Sequence, residues 1–246
     1  MLILRPYIFR QFPEIIFGFS TKFGNNYIPP YYFNLSLSVN DDRDIVLNNR
    51  KSFFSELGLS PEKAAFQEQV HGDFITIVHK PGNTGESDAM ITDKEEIALS
   101  ISTADCTAVF IYDHKKKVIA AVHTGWRGTH KGITKKVMMR LKSEYKCDPS
   151  DLYVYLGPSV AQVNYAVGSE VAELFNPVYL LNTGDRIFLD VSAANYDMLL
   201  SEGIPSCQIQ KSSLCSYEYN ELLHSYRRDG KHSGRALGVI VMRELV

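Results

Sequence analysis

The segment Thr103-Ala104-Asp105-Cys106-Thr107-Ala108-Val109-Phe110-Ile111-Tyr112-Asp113-His114-Lys115-Lys116-Lys117-Val118-Ile119-Ala120-Ala121-Val122-His123 reads as two apolar strands joined by a short polar turn. A connection this short must return the chain antiparallel, because a parallel crossover needs a dozen residues or more. Further strand patterns run over Phe74 to His79, Ile97 to Ser102, Leu152 to Leu156 and Leu237 to Met242. Helical patterns interleave with them. Asp41 to Leu57 has capping aspartates and Gly58 as a stop. After Gly128, with Thr129 as a cap, Ile133, Val137, Met138, Leu141 and Tyr145 form one apolar stripe. Val167 to Phe175 and Ser192 to Ser201 also read as helices. The sum is a mixed α+β fold, not a doubly wound one.

The register of the hairpin carries the chemistry. With Asp113 to Lys116 as the loop, or His114-Lys115 as the turn, Cys106 stands directly opposite His123 on one face. Opposed Cβ atoms lie about 4.5 to 5.5 Å apart. A thiolate at ~2.3 Å and an imidazole at ~2.1 Å can then meet at one zinc ion. A loop one residue longer or shorter would put the two side chains on opposite faces. The best third ligand is His71 in Gln69-Val70-His71-Gly72, just before the strand pattern at Phe74. A Cys/His/His set leaves a fourth position open, as catalytic zinc sites do. Asp105 is placed to orient a ligand or take a proton.

His123 leads into Thr124-Gly125-Trp126-Arg127-Gly128-Thr129, a glycine-flanked passage from strand to helix. Exposed amides and the Arg127 guanidinium there suit an anion such as phosphate. The same residues also suit a plain turn with a packed tryptophan. Ser225 to Arg235 concentrates positive charge in a loop with two glycines, which fits either an anion grip or a solvated surface.

The 246 residues are 45% hydrophobic and 22% charged, enough to bury a substantial core. A net charge of −2 gives no global case for nucleic acid or an anionic membrane, so a small ligand is favoured by elimination. The first ten residues lack a signal-peptide pattern, and no apolar run reaches membrane-spanning length. Cys106, Cys147, Cys207 and Cys215 are widely spaced, which fits reduced thiols in the cytoplasm.

Taken in order, several segments resemble the YfiH family, long called polyphenol oxidase and including the human protein FAMIN. The likeness rests on Asn34-Leu35-Ser36 with Asp41-Asp42 and Asn49-Arg50, on Gln69-Val70-His71-Gly72, Asp88-Ala89-Met90 and Ala104-Asp105-Cys106. It continues through His123-Thr124-Gly125-Trp126-Arg127-Gly128, Gly157-Pro158-Ser159, Tyr165-Ala166-Val167-Gly168 and Ser225-Tyr226-Arg227-Arg228-Asp229-Gly230. The resemblance implies one domain over residues 1–246 folded as a four-layer α/β/β/α sandwich with mixed sheets, and zinc at His71, Cys106 and His123. It implies phosphorolysis of adenosine, inosine and methylthioadenosine to a base and ribose 1-phosphate, together with adenosine deamination. Asp105 joins the three ligands as a catalytic residue in this reading. Arg127, Arg50, Asn34 and Gln69 are its substrate- or phosphate-binding residues. The departures are Asn164 where many relatives have cysteine, Ala166 for a common glutamate, Thr124 for alanine and Ala108 for proline.

Three other readings stand beside this one. A copper-dependent polyphenol oxidase would use the same soft donors, although the seven histidines include no His-x-His pair. A metal-free hydrolase of cell-wall precursor editing would use Cys106 as a nucleophile activated by His123. A non-catalytic nucleoside-binding module would bind without turnover.

Overall fold

The computed structural model describes residues 1–25 and 27–244. In chain order its strands are β1 (Ile3–Leu4), β2 (Ile15–Ser20), β3 (Ala64–Glu68), β4 (Ile75–Ile77), β5 (Gly82–Glu86), β6 (Ala89–Thr92), β7 (Ala98–Thr103) and β8 (Thr107–Asp113). They continue with β9 (Val118–Thr124), β10 (Leu152–Leu156), β11 (Ala166–Val167), β12 (Leu180–Thr183), β13 (Arg186–Leu189), β14 (Ile209–Lys211) and β15 (Ala236–Met242). The helices are α1 (Arg43–Glu56), α2 (Trp126–His130), α3 (Ile133–Tyr145), α4 (Ser169–Ala172), α5 (Val191–Ser201) and α6 (Tyr226–Asp229). Two six-stranded mixed sheets have the orders β1-β2-β15-β7-β3-β5 and β14-β10-β8-β9-β6-β4, and β11-β13-β12 form a small third sheet.

Strand alternation builds the layers. In β15, Leu237, Val239 and Val241 face α1 and pack with its Phe53 and Phe54. Ile240 and Met242 face the other way, into a core shared by both large sheets. In β8 and β9, Phe110, Tyr112, Ile119 and Ala121 enter that same inter-sheet core. Their neighbours Val109, Ile111, Ala120 and Val122 pack against Ile133, Val137, Met138 and Leu141 of α3. Helix, sheet, sheet and helix therefore stack as the four-layer sandwich that the family resemblance implies. No helix among the described residues is long and apolar enough to cross a membrane.

Helix α1 begins where its aspartates predict, with the Asp42 side chain accepting from the backbone N–H groups of Asp44 and Ile45. Three details differ from the sequence reading. Thr129 caps nothing: α2 starts at Trp126, a left-handed Gly132 separates it from α3, and the Thr129 hydroxyl accepts from Asn195 at 2.8 Å. Val167 to Phe175 is helical only over Ser169–Ala172, because Ala166 and Val167 pair with Phe188 and Ile187 as a strand.

The third difference is the hairpin register. Asp113 is the last paired residue, opposite Val118, and its carboxylate accepts from the N–H groups of Lys115 and Lys116 at 2.9 and 2.8 Å. The loop is thus His114 to Lys117, one position later than expected, and Ala108 rather than Cys106 faces His123. The slip of the pairing is two residues. Because side chains alternate with period two, Cys106 keeps the face it shares with His123 and becomes its diagonal neighbour.

Gly238 lies on the inner face of β15, where a Cβ would come within 2.4 Å of Phe110 Cζ and 3.0 Å of Phe19 Cδ2. Both rings are fully enclosed, so they have nowhere to move. Gly238→Ala is expected to destabilise the fold by about 1–3 kcal/mol, and Phe110→Leu in the same chain to recover part of that loss, both read from urea unfolding midpoints.

Candidate functional site

The inner faces of β8 and β9 are apolar until their last turn of alternation, where Cys106 and His123 replace alkyl and aromatic groups. The site therefore sits at the mouth of the inter-sheet core. His71 reaches it from the loop between β3 and β4, in a left-handed backbone conformation at φ 56°. Its ring lies 4.9 Å from that of His123, edge to face. A donor atom from each of His71, Cys106 and His123 lies within 4.8 Å of the other two. No other cluster of three metal-ligating side chains occurs among the described residues. The open side of the trio is kept clear by Gly125, whose missing Cβ would lie 3.1 Å from Cys106 Sγ and 3.2 Å from His71 Cδ2.

Asp88, fully buried just before β6, organises these groups. Its carboxylate accepts from the backbone N–H groups of Val70, His71 and Gly72 at 3.3, 3.1 and 2.6 Å. His123 Nδ1 lies 2.8 Å from Asp88 Oδ1. A proton on Nδ1 leaves Nε2 as the ligating nitrogen, the usual carboxylate–histidine arrangement behind a metal. Burial works against the Asp88 charge, but the hydrogen bond and charge of His123 hold its pKa below the ordinary carboxylate value. Burial likewise opposes a Cys106 thiolate, yet the His123 and His71 imidazoles overcome it and bring the thiol down to about 6. Burial also opposes charge on His123, while Cys106 and Asp88 raise it to about 9. One thiolate and two imidazoles form a donor set that suits a zinc or copper ion, so the residues present fit a metal.

Around the trio opens a cavity of about 1160 Å³. Arg127, Arg50, Gln69 and Asp105 line it, whereas Asn34 does not. Asn34 is fully buried, donating to Ser36 O and Asp41 Oδ2 and accepting from the N–H groups of Ser36 and Arg235. Gln69 is clamped to the edge of β7 by two hydrogen bonds to the Ser102 backbone, at 2.7 and 2.8 Å. Asp105, at φ 90°, accepts from Ser216 Oγ and from Arg227 N, both at 2.6 Å. One oxygen thus fastens the Cys106 corner to Ser216 and the other to the loop that carries Tyr226 and Arg227.

That loop is the cationic stretch between Ser225 and Arg235, and Tyr226, Arg227 and Arg235 line the cavity. Arg127 stacks over Trp126 at 4.4 Å and Arg227 over Tyr165 at 4.9 Å. Among the described residues none of Arg50, Arg127, Arg227 and Arg235 forms an ion pair. The sequence reading assigned no role to Asp88 or Tyr165. The signal for Asp88 was a lone acid abutting the apolar run Ala89-Met90-Ile91, a place where a carboxylate needs donors.

A family model described as multi-copper polyphenol oxidoreductase laccase matches residues 16–243. Purine nucleoside phosphorylase YlmD of Geobacillus stearothermophilus is 30% identical over 252 residues, spanning 95% of this chain and 92% of the relative. A purine nucleoside phosphorylase of Corynebacterium glutamicum is 32% identical over 231 residues, covering 90% and 92% of the two chains. Among solved structures, hypothetical protein YfiH of Bacillus licheniformis superposes with a TM-score of 0.93 at 27% identity, over 98% of this chain and 96% of that one. With sequence and fold agreeing from end to end, the chain belongs to the YfiH family, the group whose model bears the multi-copper laccase description.

Proposed function

We propose that this protein is a zinc-dependent purine nucleoside phosphorylase that converts adenosine, inosine or methylthioadenosine and phosphate to the base and a ribose 1-phosphate. The observation that carries the reading is a soft three-donor cluster beside guanidinium groups that no carboxylate neutralises. The relatives named as purine nucleoside phosphorylases support the substrate class.

His71, Cys106 and His123 would hold the ion, which supplies Lewis-acid polarisation of a substrate atom or activation of water. Asp88 orients the His123 imidazole and anchors the backbone that carries His71. Arg127 and Arg227 hold the phosphate dianion close to C1′, and Trp126, Tyr165 and Tyr226 offer aromatic faces to the base. In the reaction the C1′–N bond breaks, a C1′–O bond to phosphate forms, and the base takes up a proton. Asp105 acts as a positioning residue, because its two oxygens are committed to Ser216 and to the Arg227 N–H. Gln69 and Asn34 contribute by fixing the wall. Deamination of adenosine would need a second pose in the same cavity, in which water adds at C6 of the base and ammonia leaves. The four free thiols fit action in the cytoplasm, with residues 1–246 working as one domain.

A multi-copper oxidase needs several metal positions, and the described residues cluster around one. One specific observation favours a second reading: the Cys106 sulfur sits among the His71 and His123 imidazoles, which hold its thiol pKa down, and a lowered thiol suits a nucleophile.

Adenosine plus phosphate should give adenine and ribose 1-phosphate on a chromatogram, and His71→Ala, Cys106→Ala and His123→Ala should each abolish this in a folded protein. Equal consumption of adenosine without phosphate, to inosine alone, would make phosphorolysis the wrong reaction. Asp88→Asn should weaken zinc binding by about 10–100-fold in a chelator competition. Metal-free protein should be alkylated at Cys106 at pH 7, the rate falling as pH drops through about 6 because the thiolate is then protonated. Stoichiometric zinc should block that alkylation. Turnover that persists with the metal stripped would instead establish the nucleophile.

A further inference from the structure

The cavity carries positive charge at two places, and they behave differently. Arg227 is tied by its backbone N–H to Asp105, beside Cys106, and Arg127 lies two residues past Gly125, which abuts Cys106 Sγ and the His71 ring, so these cations gather at the metal-ligand trio. Arg50 interacts electrostatically with Arg43 instead. It lies on α1, in the helical layer outside the first sheet, whereas Arg127 lies on α2 beyond the second.

Arg50 is half-buried and held still. Its Nε donates to Leu35 O at 2.7 Å, and its guanidinium lies 4.2 Å over the Phe66 ring. Neither terminal nitrogen has a hydrogen-bond partner among the described residues. Burial, with some repulsion from Arg43, drags its pKa down to about 10. A cation kept partly dry without a counterion raises the free energy of the fold, and a bound anion would lower it. The carboxylates of Glu62 and Glu68 line the same end of the cavity but are exposed and bonded to Ser60 and Asn83, outside ion-pair distance of Arg50. A volume of about 1160 Å³ also exceeds the roughly 300–1,000 Å³ usual for a small-molecule site.

Resting on the phosphorylase reading, we infer that Arg50 forms a second anion subsite that takes a phosphate ester carried by the nucleoside, so that the substrate class includes nucleoside 5′-monophosphates. The pre-set guanidinium fork offers two parallel N–H donors to such an ester. Inorganic phosphate keeps the Arg127 and Arg227 locus. Phosphorolysis then breaks the C1′–N bond, forms the C1′–O bond to inorganic phosphate, protonates the departing base, and yields ribose 1,5-bisphosphate.

The test is calorimetric titration of the metal-loaded full chain with adenosine and with adenosine 5′-monophosphate, for wild type, Arg50→Met and Phe66→Leu. The wild type should bind the monophosphate at least about tenfold more tightly. That ratio should fall to within about twofold in Arg50→Met and shrink in Phe66→Leu, where the guanidinium loses its platform. No preference in the wild type overturns the subsite, whatever the variants do. So does an Arg50→Met chain that keeps the preference, or one whose main defect is a raised KM for inorganic phosphate. Adenosine phosphorolysis run in parallel separates the two ideas. Its absence sinks the phosphorylase reading, whereas its presence without monophosphate preference sinks the Arg50 subsite alone.

Discussion

Asp88 carries an ionised carboxylate with no solvent contact, and such a group is tolerated only when its lone pairs are filled by donors. Three consecutive backbone N–H groups from Val70 to Gly72 and the His123 ring fill them. The first set anchors the loop that delivers His71, and the second sets the orientation of His123. One buried charge thereby specifies where two histidines from distant parts of the chain must stand. Cys106 completes the set, and its own thiolate is favoured by the His123 and His71 imidazoles.

This arrangement depends in turn on the sandwich. The rings of Phe17, Phe19, Phe110 and Tyr155 lock the two large sheets face to face, with Phe17 packed edge-on to both Phe110 and Tyr155. Residues on the inner faces of β8 and β9 point into that space by alternation alone. Where the apolar packing stops, the same geometry aims Cys106 and His123 into a cavity. The left-handed turn at Asp105 joins β7 to β8 and ties the Cys106 corner to the cationic loop, so the His/Cys trio and the arginines of the cavity wall share one junction.

The contrast between Asp105 and Asp88 shows how burial decides the work of a carboxylate. Asp105 stands next to Cys106 in sequence but is satisfied by Ser216 and Arg227, which makes it a fastening. Asp88 is far from His123 in sequence and touches it directly. Arg227 has a matching history. It reads as one charge in a basic loop, and gains its meaning only because Asp105 accepts its backbone N–H and Tyr165 receives its guanidinium face.

What the sequence by itself determined was the set of elements whose cause is local: the Asp42 cap and apolar face of α1, the stripe of α3, the antiparallel return from β8 to β9, and the shared face of Cys106 and His123. The family motifs supported His71 and added the layer order. The hairpin register is local as well, set by the Asp113 carboxylate accepting from the N–H groups of Lys115 and Lys116, but nothing in Asp-His-Lys-Lys names that turn in advance. Only the tertiary structure decided that Thr129 meets Asn195 instead of capping a helix. It alone brought Asp88 to His123, withdrew Asn34 from the cavity wall and set Arg50 apart from the other arginines. Local propensity acts over a few residues along the chain, whereas these placements arise from side chains tens to hundreds of residues apart competing for the same hydrogen bonds and the same buried space.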